Sequence, residues 1–277
     1  STINPPTSTN SGTLEALSGG TVNLTPSTSW TNSGNLKANG GTLSLSGPTS
    51  TNSGDLSVSA GGVLNLGGNL SSATLTGHFT RTGGTVNVTG VFNNTGTTLD
   101  VGDAGVFGTG GLNSVSGTIT GGSIVSSNAS PVLTLSNATL DAVTLGGTAT
   151  VGGVPTFLGT LTVNGNTSIT NGLGLANGAV ITRNNASWSV GTTGVQHIST
   201  PGSATLVNNG GSITAGSGVF GQTLQFDAGV TLTGFTNLSG ANGAGIVNAG
   251  TISVSGGTST INPPTFTNSG TLEALSG

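Results

Sequence analysis

A turn of the form Asn-x-Gly punctuates this chain at a nearly fixed interval. Gly12, Gly34 and Gly54 each follow Asn-Ser, Gly96 follows Asn-Thr, Gly210 follows Asn-Asn, Gly250 follows Asn-Ala and Gly270 follows Asn-Ser again. In the clearest stretches neighbouring turns lie 20 to 22 residues apart; Gly77, Gly117, Ala138 and Gly229 fill the longer gaps, and 139–209 is poorly phased. The interval is too short for a domain and too regular for a linker. Self-similarity at a period of about 20–30 residues marks a solenoid, in which each unit buries its apolar side only by stacking on the next.

The unit itself reads as β-structure. GTLEALSGGTVNL (12–24), GNLKANGGTLSLSG (34–47), GDLSVSAGGVLNL (54–66) and GTISVSGGTSTI (250–261) share one plan: a short alternating run, a glycine corner, a second alternating run. Period-2 alternation bounded by glycine predicts strand–turn–strand. Units of one length bury their apolar sites best when like stacks on like, which predicts parallel, in-register strands rising ~4.8 Å per coil. The expected fold is therefore all-β, a single elongated parallel β-helix of about 12 coils. Leu14, Leu36, Leu56, Ile252 and Leu272 are expected in one inward column and Val22, Leu43 and Leu64 in another, with Glu15, Lys37 and Asp55 facing solvent. Corner glycines are expected to supply φ > 0, and the corner asparagines to stack as a ladder of amides.

A longer repeat encloses the short one. Ser1–Gly19 and Ser259–Gly277 differ only at Ser8 versus Phe266, at an offset of 258 residues. This predicts one long tandem unit over 1–258, with 259–277 as the first coil of a following copy, and places Ser8 and Phe266 at a corner.

Composition removes several function classes. Three basic residues, Lys37, Arg81 and Arg183, cannot form the phosphate-binding patch that nucleic acid requires. No stretch approaches the ~20 apolar residues of a membrane-spanning helix. The absence of cysteine removes disulfides and thiolate metal sites. With 52 glycines among 277 residues the chain looks low in complexity, yet its near-neutrality and evenly spaced Val, Ile, Leu and Thr oppose disorder.

The pattern N-x-G-x-L-x-x-x-x-G-G-x-L-x-L, clear over residues 9–66 and 246–277 and looser over 67–135 and 204–245, is similar to the repeats of filamentous-haemagglutinin-type and autotransporter-like bacterial surface proteins. That resemblance implies a right-handed parallel β-helix at the cell surface, serving as a long extracellular stalk or adhesin. No receptor or toxin activity comes with it.

Candidate chemistry is sparse. The seven carboxylates are Glu15, Asp55, Asp100, Asp103, Asp141, Asp227 and Glu273. Glu15 and Asp55 fall two rungs apart at different phases, so no pair meets within the ~10 Å that glycoside hydrolysis needs. Asp100 and Asp103, among glycines, faintly resemble a calcium turn, but calcium needs six to eight oxygens. His78 and His197 are far apart in sequence. Trp30, Phe92 and Phe266 precede corners, as packing residues or as an aromatic strip for sugars. The runs Thr118/Thr120, Thr148/Thr150, Thr160/Thr162 and Thr231/Thr233 would make an ice-binding face if they stacked, but at the period above they do not share a phase. The expectation is a non-enzymatic structural segment of an extracellular fibre, filament or adhesin stalk, without catalytic, cofactor or metal residues, whose partners are further copies of the same repeat. The alternative is an ice- or glycan-binding solenoid, which stacked outward threonine or aromatic columns would favour.

Overall fold

A computed structural model describes residues 1–128, 133–218 and 220–275. The chain is all-β, a parallel β-solenoid of about 13 turns. It divides into two compact units, Ser1–Leu133 and Thr134–Gly277. The one helical element among the described residues is the single turn Ser72–Leu75.

In the first unit each coil carries three strands, where the sequence pattern predicts two. Thr7–Asn10, Ser29–Asn32 and Thr49–Asn52 stack in parallel as a first face. Thr13–Leu17, Asn35–Asn39, Asp55–Ser59 and Phe79–Thr82 form the second. Thr21–Leu24, Thr42–Leu45, Val63–Leu66 and Thr85–Val88 form the third. The first-face strands read TSTN or SWTN, almost without apolar residues, so hydropathy hides them. Their inward position is filled by size compensation: Trp30 is 1% exposed and stands in register between Ser8 and Ser50. Ser8 is therefore an inward residue of a strand and not a corner residue. The same holds for Phe266, which sits opposite Ile246.

The expected columns form. Leu14, Leu36 and Leu56 are in register on the second face, and Val22, Leu43 and Leu64 on the third. Leu36, Leu56, Leu43 and Leu64 are fully buried, each contributing about 1.5–3 kcal/mol as an upper bound. Ile252 is buried in the second unit, but Leu14 is only half-buried and Leu272 is exposed. Their strands, Thr13–Leu17 and Thr271–Ala274, are each paired on one side among the described pairings.

Glycine does two different jobs at the corners. At the Asn-Ser-Gly corner the reason is close approach, not φ. A Cβ on Gly54 would lie 2.1 Å from the Gly34 carbonyl oxygen, and one on Gly34 would lie 2.1 Å from that of Gly12. At the next corner Gly61 has φ +77° with open space around its missing side chain. We predict that Gly54→Ala costs at least the ~1–3 kcal/mol of overpacking, because backbone of the adjacent coil must move. Gly61→Ala should cost only about 1–2 kcal/mol of left-handed strain. Thermal melts of the two variants check the order; a larger drop for Gly61→Ala would contradict it.

The second unit repeats the three-sided plan with one change. Ala204–Ala215 and Val230–Gly240 run along the second face and continue onto the third, with a register shift between Asn209 and Ser212. Gly210 lies in that shift, so it marks the second-to-third corner and not the Asn-x-Gly corner assigned from sequence. Gly117 and Ala138 are likewise displaced, each directly preceding a first-face strand, Thr118–Thr120 and Thr139–Asp141. Three corners use small residues for similar reasons, and counting one as another is what blurs the phase over 139–209.

Elements recur at the long offset. Thr265–Asn268 repeats Thr7–Asn10, and Thr271–Ala274 repeats the strand beginning at Thr13. Ile261 bridges Leu238 where its equivalent Ile3 pairs with Leu24. Ser276 and Gly277, within the repeated stretch 259–277, lie outside the described residues.

Candidate functional site

Three of the ten charged residues, Asp100, Asp103 and Arg81, hold one loop. Asp100 Oδ1 accepts from the backbone N–H of Gly102 (2.8 Å) and of Ser127 (2.9 Å). Asp103 Oδ1 accepts from the Gly110 N–H (2.7 Å) and the Asn128 amide (3.2 Å). Partial desolvation opposes ionisation of Asp100, but the Gly102 and Ser127 donors outweigh it and hold its carboxyl below the usual range. Asp103 is lowered chiefly by the Gly110 N–H and the Asn128 amide, with a smaller contribution from the Arg81 charge. Arg81 donates to the carbonyls of Gly84 and Gly111 and to Asn113 Oδ1. Together these groups staple the excursion between Val101 and Asn113, which accounts for two acids among glycines without a cation. Among the described residues no group of three or more His, Asp or Glu side chains comes together.

The two histidines fall in different units. His197 Nδ1 lies 2.8 Å from Asp227 Oδ1, which also accepts from the Gln225 amide at 2.8 Å. Among the described residues no hydroxyl is hydrogen-bonded to the ring, so the pair lacks the nucleophile that a triad requires. Glu15 and Asp55 stand in separate columns, Glu15 beside Lys37 and Asp55 beside Asn35.

Arg183 lies inside the solenoid, which its charge alone does not suggest. It is fully buried, 4.7 Å over the Trp188 ring. It donates to Asn208 Oδ1 and to the carbonyls of Ala186 and Ser212. Burial pulls its guanidinium pKa down to about 9, and no carboxylate pairs with it among the described residues. Alternation along Val180–Asn184 points position 183 inward, so pattern alone was sufficient to find it once the strand was placed.

The corner asparagines form the expected ladder. Asn10 donates to Asn32 Oδ1 at 2.7 Å, and Asn32 donates to Asn52 Oδ1 at 2.8 Å. Each also donates within its own corner, to the Gly12 carbonyl for Asn10 and the Gly34 carbonyl for Asn32. Asn52 donates to the Gly54 and Thr74 carbonyls, where the turn Ser72–Leu75 replaces the next corner. In the second unit Asn248 donates to Asn268 Oδ1 at 2.7 Å. Asn248 Oδ1 is buried without a donor, because the rung before it holds Phe226 at the asparagine position.

The second face of the second unit carries a feature the sequence reading did not assemble. Thr160, Val180, Thr205, Thr231, Thr251 and Thr271 stand in one register column. Two residues further along each strand, Thr144, Thr162, Thr182, Val207 and Thr233 form a second. Thr160/Thr162 and Thr231/Thr233 thus share both columns, contrary to the phase expected from Asn-x-Gly spacing. Thr118/Thr120 lies on the first face of the first unit, in register with Val91/Asn93, and Thr148/Thr150 stays apart from the double column.

The aromatic strip does not form. Trp30 and Phe92 are buried, Phe92 packing on Phe107 at 5.8 Å between centroids, and Phe266 is half-buried at an inward position. Compared with known proteins, the chain matches no family model, no curated protein and no solved structure.

Proposed function

We propose that this chain is a structural segment of an extracellular fibre, filament or adhesin stalk built from tandem copies of a 258-residue solenoid repeat. The observation that carries the reading is the recurrence of strands at that offset: Thr265–Asn268 and Thr271–Ala274 stack on the rung before them as Thr7–Asn10 and Thr13–Leu17 stack on the rung after them. In a tandem the two sets coincide. Asn248, Asn268, and the next copy's counterparts of Asn32 and Asn52 then form one ladder across the seam. Ile252, Leu272 and the counterparts of Leu36 and Leu56 form one inward column. A seam of this kind covers Leu272 and Leu14 with apolar neighbours and pairs a strand edge that would otherwise invite aggregation. The resemblance of the repeats to those of bacterial surface stalks supports an extracellular setting, and a chain without cysteine is compatible with it.

Stability of a solenoid is roughly the sum of its units and their interfaces. Proteins of one, two and three tandem copies should therefore melt at progressively higher temperature, with the largest step from one to two. Equal melting temperatures, with the single copy strictly monomeric, would reject the fibre reading in favour of a self-contained module.

A further inference from the structure

We propose that the threonine double column on the second face of the second unit is a binding surface for ice. This goes beyond the fibre reading and does not depend on it.

The geometry is a two-dimensional grid. Parallel, in-register stacking sets about 4.8 Å between rungs, and residues two apart in a strand stand about 6.6 Å apart. The grid is held from beneath by Leu161, Ile181, Leu206, Leu232 and Ile252, none more than 3% exposed. Where threonine is missing, at Val180 and Val207, its β-branched isostere stands in, so the shape of the surface is kept. β-Branched side chains are stiff at χ1, which fixes where each methyl and each hydroxyl points.

The hydroxyls are unused. Among the described residues, none of Thr160, Thr162, Thr182, Thr205, Thr231, Thr233 and Thr251 makes a side-chain hydrogen bond within the protein. Neighbouring polar columns behave differently. Alongside, Asn209 donates to Asn184 and Asn184 to Asn164, each at 2.9 Å. On the third face Thr214 and Ser239 bond each other at 3.0 Å. Side chains that zip to one another stiffen a coil; a threonine grid left open must satisfy its hydroxyls with water, at the spacing of the protein.

Charge and shape choose among ligands. No charged side chain points outward from these columns until Glu273, the residue in register with Ser253 on the final strand. Phosphate, nucleic acid and metal ions therefore find no partner. One ring, Phe235, stands at the edge, opposite Asn209, which is no platform for a sugar chain. What remains is a neutral surface of methyls and hydroxyls repeating in two directions. One hydroxyl–water bond adds about 1 kcal/mol net at most, so a single site has no preference for ice over liquid water. A grid of such sites is different, because waters held in fixed relative positions can all join one crystal plane at once and none need be ordered anew.

The test uses the full chain and ice itself as the probe. Ice is grown slowly from a dilute solution, and the protein in ice and in liquid is measured, with growth rate of single crystals as a second reading. The chain should concentrate in the ice and slow crystal growth. The double variant Thr205→Tyr/Thr231→Tyr, which breaks the plane at its centre, should fall to the level of an inert protein, as should Thr160→Lys at an exposed position of the first column. Ser189→Tyr on the third face should behave like the parent, and circular dichroism with a thermal melt verifies that each variant is folded. Exclusion of the parent chain from ice overturns the proposal. So does equal partitioning of the folded face variants and the parent, or a parent that stays in the liquid and pairs with a second copy through this face.

Discussion

Leu56→Asp should lower the melting temperature of the first unit by on the order of 10 °C, while Ser57→Asp, the next residue, should leave it nearly unchanged. Leu56 is fully buried, in register between Leu36 and Phe79. Removing a buried leucine side chain costs about 2–5 kcal/mol on its own. The carboxylate adds a second cost, since it enters a column with no donor or cation. At 2–4 °C per kcal/mol for a chain of this size, a loss of about 4 kcal/mol reads as roughly 10 °C. Ser57 points the other way and stands beside Lys37, so an added carboxylate there is solvated and meets an opposite charge. Such surface changes usually stay within about 0.5 kcal/mol. Circular dichroism melts of the two variants give the answer, and comparable losses at both positions would mean that the in–out alternation is wrong.

That alternation was legible from sequence because leucine and valine at every second position leave one register that buries them. Leu36/Leu56 and Leu43/Leu64 could be paired by eye, as could Asn32 with Asn52, since the period brings them to the same place. The first face was not legible, because its strands are serine and threonine around a single Trp30, and a tryptophan between two serines fills space without repeating in hydropathy. The threonine grid was hidden for a related reason. Its first strands lie in the poorly phased stretch 139–209, and the residues that flank this stretch, Gly117, Ala138 and Gly210, look like one kind of corner although they stand at others. A shift by one corner moves Thr160/Thr162 to a different face from Thr231/Thr233. The residue class was right; the phase was lost, and only the strand register restores it. Arg183 was hidden differently, because a cation in a solvated-looking Thr-Arg-Asn run carries no apolar signal for the core.

Asn32→Asp should be the most damaging single-atom-scale change in the chain, and its cost should depend on pH. Asn32 is fully buried; its Oδ1 accepts from Asn10, and its amide donates to Asn52 Oδ1 at 2.8 Å and the Gly34 carbonyl at 3.2 Å. A carboxylate keeps the accepting role but turns each of the amide's donations into an oxygen facing an oxygen. Burial and those acceptors both disfavour the charged form, so the new acid's folded pKa rises above the ~3.9 of an unfolded Asp. The sign follows from linkage. Between the unfolded and the raised folded pKa the native state holds more protons than the unfolded one, so stability falls as pH rises. Below about pH 3 the acid is protonated in both states, and its O–H can donate to Asn52, restoring one bond of the ladder. A rise of about 3 pKa units corresponds to roughly 4 kcal/mol lost by pH 7. The gap in melting temperature between parent and variant should therefore be smallest near pH 3 and widen toward neutrality. The parent moves the other way in acid, since Asp100 and Asp103 have lowered pKa values and lose their stapling bonds when protonated. Taking the difference at each pH removes that background. A gap that stays constant from pH 3 to pH 7 would mean that position 32 reaches water, and a ladder open to water could not bind one coil to the next across a seam.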